Sequence, residues 1–324
     1  MGGAAMPVDP QILALIDVMV ASGARPVTDA PVAESRAAAA AWVGYGGPGE
    51  PVARVVDRYV PGPAADIHIR AYTPLRADPA AGEALPALVM FHGSGWVLSN
   101  IDHADAPHRE LANRSGCVVV AVNYQKAPEH RFPVPLDDCY AAATWVAENA
   151  ASLGADPGRI GIGGDSAGGN LAAACAIRAR EAGGPRFALQ LLIYPALDLC
   201  APADRYPSMV ECADGPLLTR ADMEWYWAQY LARPEDADDP LASPMRCTDL
   251  AGLPPAIVAT AEFDPLRDEA EAYAGRLAAA GVPVIARRYA GATHAVYWMT
   301  GTVDLSHRLI TDLGRDVRTL LAPA

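Results

Sequence analysis

Six short apolar runs constrain the fold of this chain more than any other feature. They are ALVMF (87–91), CVVVAVNY (117–124), RIGIGG (159–164), LQLLIY (189–194), AIVATA (256–261) and VIARRY (284–289). A strand with one face in water alternates apolar and polar residues. Runs with little alternation suit strands buried on both faces, as in a parallel sheet covered by helices. Stretches of helical periodicity separate them, near 103–115, 134–153, 168–182, 268–280 and 303–321. That order predicts an α/β fold with right-handed crossovers and helices on both faces. Upstream, ARVVDRYV (53–60) and DIHIRAY (66–72) alternate and are joined by Pro61-Gly62-Pro63, which predicts an antiparallel hairpin. Residues 9–45 read as one or two amphipathic helices with Pro26 and Pro31 between them. The segment 197–255 is too long for a plain crossover. It holds a helical stretch, TRADMEWYWAQYL (219–231), with Met223, Trp227 and Tyr230 on one stripe. The stripe reads either as core packing or as a lid over a site.

Composition narrows the function. Of 324 residues, 52% are hydrophobic and 19% charged, enough to bury a substantial core. The net charge of −13 repels nucleic acid and anionic membrane, and favours neutral substrates. No apolar run reaches the roughly 20 residues of a membrane span. The N-terminal stretch lacks a basic region and is interrupted by Asp9 and Asp17, which argues against a signal peptide. The opening MGGAAM lacks the Ser or Thr of a myristoylation signal, so a cytoplasmic location is the expectation. None of the six cysteines forms a CxxC pair, and no Cys/His spacing suits zinc, so no metal is expected. A disulfide between Cys200 and Cys212 stays open.

Gly164-Asp165-Ser166-Ala167-Gly168 matches G-x-S-x-G. The pentapeptide alone is a weak signal. Here it lies between a strand-like run and a helix-like run, GNLAAACAIRARE, which is the strand–turn–helix setting of a nucleophile elbow. A plain glycine-rich turn is the alternative. A serine hydroxyl needs a base, and the base an orienting acid. Asp264 follows the strand AIVATAEF, at the sheet edge where such folds place functional loops, and His294 follows the last strand. Each has a plainer reading, Asp264 as a helix N-cap in DPLRDE and His294 as a surface histidine. Asp198, after the preceding strand, is a rival acid, and His307, inside a helical stretch, a weaker rival base. His92-Gly93-Ser94-Gly95-Trp96, after ALVMF, can offer backbone N–H groups to an oxyanion, or can be a glycine-rich loop without a role.

Taken together these residues resemble a bacterial member of the hormone-sensitive lipase family of esterases. The motifs that carry the resemblance are HGSGW (92–96), VNYQKAPEHRFP (122–133), GDSAGGN (164–170), LAGLPPAIVATAEFDPLRDEAEAYAGRLAAAGVPV (250–284) and GATH (291–294). They span most of the chain from about residue 50. The resemblance implies an α/β-hydrolase fold, with a mostly parallel central sheet flanked by helices. It implies N-terminal cap helices over residues 1–50 and a catalytic domain over 51–324 with a cap insertion near 200–235. It implies hydrolysis of small esters with short to medium acyl chains, without a cofactor. An acyltransferase or amidase on the same triad is the alternative. By motif, Ser166 is the nucleophile, Asp264 the acid and His294 the base. The oxyanion donors are the N–H groups of Ser94, Gly95 and Ala167, with His92 supporting their loop. Trp96, Met223 and Trp227 are the expected substrate-binding residues. A homodimer is left open as an assembly. Two departures stand out. The family's HGGG loop has Ser94 at its second glycine here, and its HGF reads His294-Ala295-Val296.

Overall fold

A computed structural model describes residues 7–23, 25–75 and 84–322. The first six residues, on which the acylation expectation rests, lie outside them. Eight strands form one sheet: β1 (Arg54–Val60), β2 (Ile67–Thr73), β3 (Leu85–Phe91), β4 (Val118–Asn123), β5 (Ala155–Asp165), β6 (Leu189–Ile193), β7 (Ala256–Phe263) and β8 (Val284–Thr293). Their spatial order is β1-β2-β4-β3-β5-β6-β7-β8. The expected hairpin is the antiparallel pair β1–β2, and β2 runs antiparallel to β4. All later pairs are parallel.

The runs of β3 to β7 are largely buried on both faces because successive side chains point to opposite sides of the sheet, whereas VIARRY lies in the edge strand β8 and leaves Ala286 and Arg288 exposed. Ala87, Val89 and Phe91 join the core under α4 (Val134–Glu148), α5 (Ala167–Ala182) and α8 (Arg267–Ala279). Leu88 and Met90 join the other core, beneath α3 (Asp105–Ser115) and α9 (Asp304–Leu320). Leu309, Ile310, Leu313 and Val317 of α9 supply that second core at helical spacing.

The N-terminal region contains α1 (Pro10–Ala21) and α2 (Val32–Ala39), followed by a 3₁₀ turn at Ala40–Gly46. Asp9 caps α1 by accepting from the Gln11 N–H at 2.8 Å, and Pro10 stands at its first position. One arginine docks α2. Arg36 donates to the carbonyls of Val97 and Ala127, each at 2.8 Å, and forms a two-pronged pair with Glu129 at 2.8 and 2.7 Å. This guanidinium holds the Glu129 carboxyl down at about 2. The long 197–255 segment holds α6 (Pro207–Glu211) and α7 (Arg220–Tyr230). A reciprocal Thr219/Asp222 capping box starts α7. Tyr230 of α7 stacks on Trp96 with ring centroids 4.4 Å apart. Both α2 and α7 therefore reach the loop that follows β3.

Three boundaries differ most from the periodicity reading. The helix expected to 153 ends at Glu148, where Asn149 leaves helical geometry and a 3₁₀ turn follows. The RIGIGG strand starts earlier, at Ala155, and β8 continues to Thr293 through Gly291. Cys200 and Cys212 are both free thiols. Among the described residues, no helix is long and apolar enough to cross a membrane.

Candidate active site

Ser166 sits between β5 and α5 with φ 56° and ψ −119°. That left-handed conformation is strained for a residue with a Cβ and costs about 1–3 kcal/mol. The surrounding sheet enforces it: the Ser166 N–H donates to the Ile193 carbonyl at 2.8 Å, and the Ser166 carbonyl accepts from the Asn170 N–H at 3.0 Å. Asp264 directly follows β7 and is fully buried. Its Oδ1 accepts from the Leu266 N–H at 2.9 Å. His294 directly follows β8. Its Nδ1 lies 2.7 Å from Asp264 Oδ2, and its Nε2 lies 2.9 Å from Ser166 Oγ. The carboxylate selects the tautomer with the proton on Nδ1, which leaves Nε2 as acceptor for the serine hydroxyl. Tyr194 packs beside the imidazole, ring centroids 4.7 Å apart. Three residues distant in sequence thus form one hydrogen-bonded chain, because parallel strands deliver their C-terminal ends to the same edge.

The rival groups lie elsewhere. Asp198 is paired with Arg246 at 2.9 Å and Arg205 at 3.1 Å, and accepts from the Tyr206 hydroxyl at 2.8 Å. His307 on α9 faces Glu110, at 2.7 Å.

Beside Ser166, three consecutive residues adopt positive φ: Ser94 (83°), Gly95 (61°) and Trp96 (62°). The Ser94 carbonyl closes this turn by accepting from the Val97 and Leu98 N–H groups, both at 3.2 Å. Among the described residues, neither the Ser94 nor the Gly95 N–H donates to another protein group. Ala167 opens α5, where the first N–H groups have no intrahelical acceptor and the helix dipole favours negative charge. Ser94, Gly95, Ala167, Ser166 and His294 all line one cavity of about 1030 Å³. His92 does not line it. Its ring stacks on Tyr124 at 4.4 Å, and the Tyr124 hydroxyl donates to the His92 carbonyl at 2.8 Å. Burial keeps this imidazole neutral by pushing its pKa well down.

Of the three residues expected to touch substrate, the structure brings Trp96 and Met223 to the cavity and leaves Trp227 out. Trp227 lines a separate cavity of about 620 Å³, together with Arg131, Cys200 and Leu231. The neighbour Tyr226 lines the cavity that holds Ser166. Adjacent residues are about 100° apart around a helix. The apolar stripe on α7 therefore spans two cavities, and helical spacing could not show which edge lines the one with Ser166. Sequence reasoning also missed Trp298, from the short 3₁₀ turn after His294, and Trp42, from the turn after α2. Their rings pack edge to face at 6.1 Å. In sequence Trp42 stands out only as one of two aromatics, with Tyr45, in the short run before β1. Truncation of Met223 to alanine is expected to shift relative kcat/KM among p-nitrophenyl esters of graded acyl length. Trp227→Ala is expected to keep that ranking and lose about 3–5 kcal/mol of stability, the usual cost of emptying a buried tryptophan site. A changed ranking in the Trp227 variant with an unchanged one in the Met223 variant would reverse this assignment.

Residues 88–298 match the model of a family described as having the alpha/beta hydrolase fold. The carboxylic ester hydrolase LipN of Mycobacterium tuberculosis is 44% identical over 247 residues, covering 74% of this chain and 63% of that protein. An arylesterase of Saccharolobus solfataricus is 35% identical over 90% of this chain and 92% of its own length. Among solved structures, a hyperthermophilic esterase from the archaeon Pyrobaculum calidifontis superposes with a TM-score of 0.90 at 39% identity, covering 98% of this chain and 100% of that one. The sheet order, the strand-to-helix serine and these relatives agree, and the chain belongs to the alpha/beta-hydrolase family of esterases related to hormone-sensitive lipase.

Proposed function

We propose that the chain hydrolyses carboxylic esters with short to medium acyl chains through Ser166, His294 and Asp264. The observation that carries this reading is the hydrogen-bonded chain of 2.7 and 2.9 Å ending on a strained serine in a largely apolar cavity. His294 Nε2 takes the hydroxyl proton as Ser166 Oγ attacks the ester carbonyl. The carbonyl oxygen gains negative charge and is held by the N–H groups of Ser94, Gly95 and Ala167. Asp264 stabilises the imidazolium and keeps its orientation. His294 then gives its proton to the alcohol oxygen as the C–O bond breaks. Water, deprotonated by His294, attacks the acyl-enzyme, and the carboxylic acid leaves. Cap elements close the cavity: α1 contributes Ile16 and Met19, and α7 contributes Met223 and Tyr226. This supports esters with apolar groups of modest size.

A fluorophosphonate titration followed by peptide mapping tests the reading. One equivalent bound at Ser166, with matching loss of p-nitrophenyl ester hydrolysis, is expected. The rate of modification and kcat/KM should fall together in acid, because the mechanism needs an unprotonated base. The mechanism uses no metal, so EDTA is expected to leave turnover unchanged. Activity lost in EDTA and restored by zinc would refute it, as would labelling at a residue other than Ser166.

A further inference from the structure

The steps above leave one carboxyl next to the nucleophile without a task. Asp165 is 2% exposed and reaches the cavity wall beside Ser166. Its Oδ1 accepts from the Gly93 N–H at 3.0 Å. A Cβ placed on Gly93 would lie 2.3 Å from Asp165 Oδ2 and 2.8 Å from the Asp165 carbonyl, so the two segments meet with no room for a side chain. Gly93 immediately precedes the turn of Ser94, Gly95 and Trp96, all at positive φ. A buried amide without an acceptor is costly, and among the described residues the Gly93 N–H has Asp165 alone. The chemistry of this contact asks for an acceptor. It does not ask for a charge.

We propose that Asp165 is a positioning residue for ester hydrolysis: its carboxyl ties the nucleophile elbow to Gly93 and so fixes the turn that presents the Ser94 and Gly95 amides above Ser166. The proposal rests on the roles given to Ser166 and the oxyanion loop. The titratable groups facing the carboxyl are His294 after β8, Tyr194 after β6, Tyr124 after β4, and Tyr297 in the 3₁₀ turn. The Trp298 indole also lies beside it, and its N–H makes no hydrogen bond at ordinary distance. Burial pushes the Asp165 carboxyl up to about 7, against the opposing pull of the Gly93 amide and His294. It therefore changes charge near neutral pH. Either form keeps an oxygen for Gly93, and only the ionised form adds a negative charge beside His294.

Two substitutions separate these effects. Asp165→Asn keeps an acceptor and removes the charge. It is expected to retain at least a third of wild-type kcat at pH 8.5. The acid limb of its kcat/KM profile should move, because the carboxyl that titrates beside the site is gone. Asp165→Leu removes the acceptor at similar size. It is expected to lose thirtyfold or more in kcat with KM within threefold, because amides out of place fail the transition state and leave ground-state binding intact. Should Asp165→Leu fail to fold, Asp165→Ser, whose hydroxyl is too short to reach Gly93, carries the same expectation. Wild-type turnover in the Leu or Ser variant overturns the proposal. So does an Asn variant that falls as far as Leu with an unmoved pH profile, which is the signature of packing alone. Fluorophosphonate mapping of the wild type keeps the two levels apart. If Ser166 is not modified, the parent reading falls and this one with it. If Ser166 is modified and Asp165→Leu turns over normally, this proposal alone falls.

Discussion

Ser166→Ala is expected to lower kcat by about six orders of magnitude, the scale of losing a serine nucleophile from an intact triad. The change removes one oxygen and keeps Cβ, so the backbone at φ 56° meets the same steric demand as before. The hydrogen bonds that hold the elbow run through the Ser166 backbone to Ile193 and Asn170 and are untouched. His294 loses only its contact to Oγ and keeps the 2.7 Å contact to Asp264. Thermal unfolding should therefore shift by no more than a few degrees, and substrate should still bind in a cavity whose apolar lining is unchanged. The oxyanion amides remain, so a residual rate about 10³-fold above water is expected. The measurement is steady-state hydrolysis of p-nitrophenyl butyrate beside a melting curve. Turnover within tenfold of wild type in rigorously purified protein would remove Ser166 from the mechanism.

The second large effect is expected at Gly95. A Cβ there would lie 2.0 Å from Cδ1 of Tyr226, and the residue holds φ 61°. Gly95→Ala therefore faces both a backbone penalty and a collision with a buried ring on α7. The loop must move, and an oxyanion donor moves with it. Loss of one such donor costs about 10²–10³ in kcat. Adding Tyr226→Ala removes the collision and leaves the φ penalty, so the double variant is expected to recover part of the loss. A Gly95→Ala enzyme with wild-type kcat would mean that this amide does not act on the reacting carbonyl. The neighbouring Ser94 should behave differently. Its φ of 83° costs a residue with a Cβ about 1 kcal/mol or more. Ser94→Gly relieves that strain but gains chain entropy in the unfolded state, worth about 0.4–1 kcal/mol in the opposite direction. The stability change should be small and kcat within tenfold. The serine in place of the family's glycine is thus accommodated by strain and keeps its N–H.

Much of this site was legible because its signals are local. Ser166, Asp264 and His294 each follow an apolar run that could be read as a buried strand. Parallel strands bring their C-terminal ends to one edge, so chain order alone pointed to a common place. Asp198 also follows a strand, so position alone left it a rival to Asp264 and the family motif made the choice; the structure pairs Asp198 with Arg205 and Arg246. The pleat then divides each run between the two faces, sending Leu88 and Met90 to one core and Ala87, Val89 and Phe91 to the other.

What tertiary structure alone decided concerns orientation about an axis and contacts between distant segments. The stripe on α7 gave its apolar width but not its rotation, and a turn of about 100° separates Tyr226 at the Ser166 cavity from Trp227 at another. The family's glycine at the position of Ser94 allowed for a positive φ, and the structure decided it, since serine rarely adopts that conformation and does so here under the hold of its surroundings. Arg36 gave no sign in sequence of gripping the Val97 carbonyl, and Asp165 gave none of gripping the Gly93 amide. The strands and the chemistry of each candidate residue were set by local pattern. Which side chain meets which backbone amide was set by packing, whose partners lie tens of residues apart and leave no periodicity in the sequence.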